Sequence, residues 1–340
     1  MLIQRITSHP RAALLLLALG VANLAAWGMA LTLFRHTPTL MAASLLAWSY
    51  GLRHAMDADH IAAIDNVTRK LMQQGRRPTG VGAWFSLGHS SIVMLACIAI
   101  AATATAFSRH LAWFHDTGGT IGTAVSALFL LAMALVNLAI LRGVWRSFRR
   151  MTRGEAVVDE TGGVPGGAMS WLFRPAFRLV SKSWHMYLVG FLFGLGFDTA
   201  TEVGVLGLSA ASATHGMSVW AILVFPVLFT SGMALIDTLD SLMMVGAYGW
   251  AYHKPQRKLY YNMTITGSSM AIALFIGGLE ALGLLMDKLG LEGGVWQVVG
   301  ALNAQMGNAG FIVTGLLAVC WGLSFLTYRL KGYDALTMRG

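Results

Sequence analysis

Most of the chain consists of long apolar stretches, which are separated by short segments that carry most of the charged residues. A helix needs about 20 apolar residues to cross a bilayer, and eight stretches come near this length. They cover residues 12–34, 40–65, 82–107, 119–141, 185–209, 219–249, 264–286 and 310–328. The pattern predicts an all-α membrane protein with eight transmembrane helices, in which residues 1–340 form a single polytopic membrane domain.

Composition agrees with this interpretation. Hydrophobic residues make up 56% of the chain and charged residues 11%, whereas about a quarter of the residues in a soluble domain are charged. A net charge of +9 would suggest nucleic-acid binding in a soluble protein, but here the basic residues lie between apolar stretches. The expected partner of the surface is therefore the lipid bilayer, and no nucleic-acid partner is predicted. The sequence indicates no oligomeric state.

The basic residues are distributed unevenly between the two sides of the predicted helices. One set of ends carries 20 of the 24 Lys and Arg residues, the opposite ends carry three, and Arg53 lies within a predicted helix. Cytoplasmic connections of membrane proteins are enriched in Lys and Arg. Both termini are therefore predicted to lie in the cytoplasm, together with the long connection of residues 142–184.

The second predicted helix contains two imidazoles and two carboxylates within seven residues: His54, Asp57, Asp59 and His60. A charged side chain at the bilayer centre costs about 2.5–3.5 kcal/mol, so such residues usually mark a substrate or ion pathway. Imidazole and carboxylate together suit a divalent transition metal. On a regular helix His54, Asp57 and His60 share an arc of about 120°. Asp59 lies on another face, so either it has a separate partner or the helix is distorted.

Other predicted helices contain further polar groups at membrane depth. The third contains His89, the fifth contains Asp198 and Glu202, and the sixth contains Asp237 and Asp240. Carboxylates this close repel each other unless a cation or a shared proton intervenes. We therefore expect a cation pathway whose metal ligands are His54, Asp57, Asp59 and His60. The additional ligands or pathway residues are His89, Asp198, Glu202, Asp237 and Asp240, and no catalytic residue is predicted.

Short internal similarities relate the two halves of the chain. Gly51-Leu52 precedes the acidic and histidine residues of the second helix, and Gly194-Leu195 precedes Asp198 and Glu202. Residues 85–88 likewise resemble residues 229–232. Because the matched helices run in opposite directions in the predicted topology, they indicate an inverted repeat of two four-helix halves. In transporters with such repeats the substrate site lies at the repeat interface near mid-membrane.

Residues 53–61 (RHAMDADHI) resemble the His-x4-Asp-His signature of the nickel/cobalt transporter family, known as NiCoT permeases. Three further stretches resemble the other signatures of that family in the same order: 85–93 (FSLGHSSIV), 195–203 (LGFDTATEV) and 232–240 (GMALIDTLD). The resemblance implies a bacterial cytoplasmic membrane permease that imports Ni²⁺ or Co²⁺ with high affinity. It also implies that His54, Asp59 and His60 are essential. The metal would be the transported substrate, so no resident cofactor and no enzymatic activity are expected.

Two alternatives remain open at this point. An efflux permease for the same metals can use similar His and Asp clusters, although exporters often carry a His-rich cytoplasmic loop and residues 142–184 contain no His. A membrane metalloenzyme built on histidines needs many of them near the cytoplasmic helix ends, and the chain has ten in all. The sequence leaves nickel and cobalt as equal candidates.

Overall fold

The computed structural model describes residues 10–76, 78–102, 107–153, 180–196, 200–251 and 255–330, and all regular secondary structure in these ranges is helical. A single 3₁₀ turn, Ser183–His185, precedes α6. The α-helices in chain order are α1 Pro10–Phe34, α2 Pro38–His54, α3 Ala58–Gln73, α4 Val81–Ala102, α5 Phe107–Thr152, α6 Met186–Phe193, α7 Ala200–Thr214, α8 Val219–Ile222, α9 Val224–Ala251, α10 Pro255–Leu289, α11 Val295–Ala304 and α12 Met306–Leu330.

Five helical segments of the described chain are long and apolar enough to cross a membrane: Pro10–Phe34, Val81–Ala102, Gly119–Arg150, Val219–Ala247 and Met263–Leu289. A sixth is obtained if α11 and the following part of α12, which are bent by 86° relative to each other, form one broken span. The prediction of an all-helical, multi-pass membrane protein is therefore confirmed at this level. Two of the eight predicted spans, 40–65 and 185–209, are each divided into shorter helices.

The division of the second predicted span lies inside the His and Asp motif. α2 ends at His54, and the backbone N–H groups of Met56 and Asp57 bond to the carbonyls three residues earlier. Asp57 then adopts an extended conformation at the N-cap position of α3. Gly310 of α12 packs against the Met56 carbonyl so closely that a Cβ there would overlap with the oxygen. One continuous helix over 40–65 is thus wrong, and the structure has the distortion that the position of Asp59 suggested.

α3 is buried along almost its whole length, because it lies inside the bundle and contacts α5, α9, α10 and α12. It extends to Gln73, so Arg69 and Lys70, which lie in a connection of the predicted topology, are instead buried within a helix. Arg69 donates to the side-chain oxygen of Asn66, and Asn137 of α5 donates to the same oxygen. The two basic side chains are therefore part of the interior of the bundle.

α9 packs against α1, α2, α3 and α4. Its buried apolar side chains form a core with those of α1, α2 and α4. Its contact with α4 is close at Gly82, where a Cβ would overlap with the Asp237 carbonyl. α4 in turn packs along α6, and α5 packs along α10. The result is that the break between α2 and α3, the middle of α4 and the middle of α9 meet in the interior.

Candidate metal site

Three histidines from three helices meet at the break between α2 and α3. His54 ends α2, His60 lies in the first turn of α3 and His89 lies in the middle of α4. One ring nitrogen of each lies within 4.8 Å of those of the other two, and the three residues are 2%, 0% and 3% exposed. Nitrogens bound to one ion at about 2.1 Å lie at most about 4.2 Å apart, so small side-chain rotations bring all three onto one ion. We call this group the histidine cluster.

The imidazoles of the histidine cluster are incompletely hydrogen-bonded within the described part of the chain. Neither ring nitrogen of His60 makes a hydrogen bond there, and neither does Nδ1 of His89. A buried polar atom without a partner costs about 1–3 kcal/mol, and native structures contain few such atoms. A metal ion bound by His60 would supply a partner for one of these buried nitrogen atoms.

Two carboxylates lie 2.8 Å from ring nitrogens of the histidine cluster. Oδ2 of Asp57 lies 2.8 Å from Nδ1 of His54, and its Oδ1 lies 3.2 Å from Nη1 of Arg53. From α7, Oε1 of Glu202 lies 2.8 Å from Nε2 of His89 and 3.8 Å from Nε2 of His54. The Nε2 atoms of His54 and His89 are themselves 2.9 Å apart. Glu202 therefore lies where a carboxylate ligand would complete a site built from these nitrogens.

Asp237 of α9 contacts the histidine cluster through His60. Its Oδ2 lies 3.5 Å from Nδ1 of His60 and accepts a hydrogen bond of 2.6 Å from Ser86 Oγ. A carboxylate that bonds to the second nitrogen of a metal-binding imidazole fixes the orientation and tautomer of the ring. Asp237 is fully buried, and its contacts with His60 and Ser86 suit it to orienting the His60 ring.

The remaining predicted site residues lie elsewhere. Asp59 is partly exposed in the first turn of α3 and is not part of the histidine cluster. Asp240 lines a separate cavity between α9, α10 and α12 that none of the three histidines reaches. Asp198 lies outside the described residues, so its predicted role stays a prediction.

Two side chains of the site were not predicted from the sequence. Ser86, the donor to Asp237, lies three residues before His89 and therefore on the same face of α4. Thr201 precedes Glu202, and its Oγ1 lies 3.3 Å from Nδ1 of His54. The i, i+3 spacing was a usable signal for Ser86, whereas the position of Thr201 depends on how α7 packs against α2.

The fold and the site together define a multi-pass membrane protein with a buried cluster of histidines and carboxylates. The profile of the NicO family, described as high-affinity nickel-transport protein, matches residues 40–327. The chain therefore belongs to the NicO family, which consists of transporters rather than enzymes. The family membership that the four sequence motifs indicated is confirmed.

Similar proteins match over most of the chain. A high-affinity nickel transport protein of Cupriavidus necator is 56% identical over 96% of this chain and 95% of its own length. The hydrogenase nickel incorporation protein HupN of Bradyrhizobium diazoefficiens is 52% identical over 91% and 81%. The cobalt transport protein NhlF of Rhodococcus rhodochrous is 38% identical over 86% and 84%. No solved structure matches the chain.

Proposed function

We propose that this protein imports Ni²⁺ or Co²⁺ across the bacterial cytoplasmic membrane and binds the ion at the histidine cluster during transport. The observation that carries the proposal is the meeting of His54, His60 and His89 at a helix break, with unpartnered ring nitrogens in a buried site. Imidazole nitrogens are suitable ligands for nickel and cobalt. The names of the relatives, which include nickel and cobalt transport proteins, support the same substrate class.

The proposed ligands differ in part from those expected at the sequence level. His54 and His60 remain proposed ligands. His89 is added because its Nε2 contacts Nε2 of His54, and Glu202 is added because it contacts Nε2 of His89. Asp57 bonds to the other nitrogen of His54, which favours an orienting role. Asp59 lies in the first turn of α3, where its negative charge stabilises the positive end of the helix dipole.

Matching contacts in the two halves support the proposed inverted repeat of four-helix halves. Gly51 of α2 packs so closely against α9 that a Cβ would overlap with the Phe229 carbonyl, and Gly190 of α6 has the same relation to the Phe85 carbonyl of α4. Phe85 and Phe229 are the equivalent positions of the two repeated motifs. These contacts support an alignment of Gly51 with Gly190 rather than with Gly194, which would shift the alignment of the broken helices by four residues.

This arrangement supports an alternating-access mechanism. The ion loses water to imidazole nitrogens at the break, and movement of one half against the other opens the site to the cytoplasm. The proposed topology retains eight spans. Both termini and the 142–184 connection lie in the cytoplasm in this topology, because it places most Lys and Arg residues outside α3 on the cytoplasmic side. Import is favoured over efflux because relatives are named for high-affinity nickel transport and for nickel incorporation into hydrogenase.

The proposal is tested by uptake of radioactive nickel in a bacterial strain that lacks other nickel importers. Cells that produce the protein should accumulate nickel, and His54→Ala should abolish accumulation. His36→Ala is the matched control, because His36 is an exposed histidine outside the histidine cluster, and it should leave uptake unchanged. Accumulation by His54→Ala at the wild-type level, or net nickel loss from preloaded cells, would contradict the proposal.

A further inference from the structure

A cavity of about 240 Å³ lies between α9, α10 and α12. Its wall is mostly apolar and contains one carboxyl group, that of Asp240, together with Ser268, Thr314 and Cys320. The cavity follows α9 from Asp240 to Ala247, toward the end of α9 and the start of α10, whose first turn contains Arg257 and Lys258. It therefore extends from the level of the metal site toward the proposed cytoplasmic side.

Asp240 is an unusual group in this wall. Its Oδ2 is buried and has no hydrogen-bond partner among the described residues, and the same holds for Thr314 Oγ1. Asp65 of α3 and Asp237 of the same helix are acidic groups near Asp240. Cys320 is the other titratable group in the wall. Glu280 lies about three turns after the wall residue Ser268 in α10. A buried carboxyl oxygen that has no hydrogen-bond partner in the described structure is stabilised by a bound cation.

The chemistry of the wall selects a proton as that cation. A transition metal needs three or more converging donors, and the described residues form no group of His, Cys, Asp or Glu around Asp240 comparable with the histidine cluster. A proton needs one oxygen and a route to water. Thr238 Oγ1 and Ser241 Oγ, which neighbour Asp237 and Asp240 in the chain, are fully buried and also lack partners in the described structure. Buried hydroxyls of this kind are commonly satisfied by internal water.

One turn of α9 connects this carboxyl group to the metal site. Asp237 contacts His60 and Ser86, and Asp240 follows three residues later on the same helix. A displacement of this turn when the ion binds or leaves therefore changes the surroundings of both groups. Intramembrane carboxylates commonly serve as proton relays in transporters.

We propose that Asp240 is a proton-binding site separate from the histidine cluster, through which one proton enters the cytoplasm with each transported metal ion. This inference rests on the proposed function, because it assigns the coupling ion of that transport. The proton binds to the Asp240 carboxylate when the site is open to the outside, and it leaves through the cavity after the ion has been released.

The test uses purified full-length protein in liposomes that contain a pH-sensitive dye, with the membrane potential clamped by potassium and valinomycin. For the wild type, external nickel should acidify the interior in proportion to nickel uptake. Asp240→Asn should lose this acidification while it retains exchange of internal unlabelled nickel for external labelled nickel, because exchange requires no net proton movement. Asp240→Glu should restore acidification. Asp287→Asn is the matched control, because the Asp287 side chain is 72% exposed, and it should behave as wild type.

Three results would overturn the inference: nickel uptake by the wild type without acidification, wild-type acidification by Asp240→Asn, or loss of exchange in a folded Asp240→Asn protein. The last result would place Asp240 on the metal path. Folding of each variant is checked by its thermal unfolding and by nickel binding at the histidine cluster. Wild-type protein that accumulates no nickel would instead contradict the proposed function itself.

Discussion

Replacement of His89 by alanine tests the composition of the proposed metal site most directly, because the local motif in α2 and α3 does not contain this residue. His89 is the only α4 member of the histidine cluster, and its Nε2 lies 2.9 Å from His54 and 2.8 Å from Glu202. If the ion binds to three imidazoles and one carboxylate, His89→Ala removes one of four ligands. The Glu202 carboxylate then also loses a buried partner.

The size of the effect follows from the number of ligands. Apparent binding free energies of four-ligand zinc sites are about 10–16 kcal/mol, so one ligand contributes about 2.5–4 kcal/mol. Since 1.4 kcal/mol corresponds to a factor of ten, His89→Ala should weaken nickel binding by about 10²- to 10³-fold. Glu202→Gln, which keeps the shape of the side chain but removes its charge, should weaken binding in the same direction.

The measurement is isothermal titration of nickel into purified protein, accompanied by uptake kinetics in cells. His36→Ala serves again as the exposed histidine control. Thermal unfolding without metal separates lost binding from lost folding. An unchanged dissociation constant for folded His89→Ala protein would show that the ion does not bind at the meeting point of the three helices, and the proposed ligand set would then be wrong.

Three further predictions concern groups around the site. Ser86→Ala removes the hydrogen bond to Asp237. Loss of this contact, which supports a ligand from outside the site, should weaken nickel binding by about 10–100-fold in the same titration. Ser91→Ala, on the partly exposed side of α4, should leave nickel binding unchanged. Lowering the pH should weaken nickel binding, because imidazoles and carboxylates bind metal only when deprotonated; binding that is constant between neutral and acidic pH would contradict a histidine site. Gly82→Leu should lower the melting temperature and the yield of folded protein, because the side chain would overlap with the Asp237 carbonyl. Gly20 has open space around it, so Gly20→Leu should leave the melting temperature and the yield unchanged.

Local spacing predicted the part of the site that belongs to one segment. His54, Asp57 and His60 lie within seven residues, so any helical or nearly helical conformation keeps them close. His89 and Glu202 were recognised as polar groups at membrane depth, but their contact with His54 joins residues 35 and 148 positions away. Only the packing of α4 and α7 against α2 decides such contacts.

The helix break could not be predicted from the apolar pattern. No proline or glycine occurs between Leu52 and Gln74, so the usual signals of a helix end are absent. Asp57 is a favourable residue for a helix N-terminus, but an acidic residue within an unbroken membrane helix can equally face a cation or a water-filled cavity. The break places His54 at the end of α2 and Asp59 in the first turn of α3.

The sequence by itself determined the class of protein, because the cost of burying charge in lipid restricts spanning helices to apolar sequences. For the same reason, charged or imidazole side chains within such a helix indicate a functional site. It also determined the family and the chemical nature of the substrate, since imidazole and carboxylate groups at membrane depth select a divalent metal ion. Tertiary structure decided which of the nine predicted side chains from different helices meet. The positions of His89, Glu202 and Asp237 depend on close contacts between helices distant in the chain, and these contacts are not encoded in the period of any single helix.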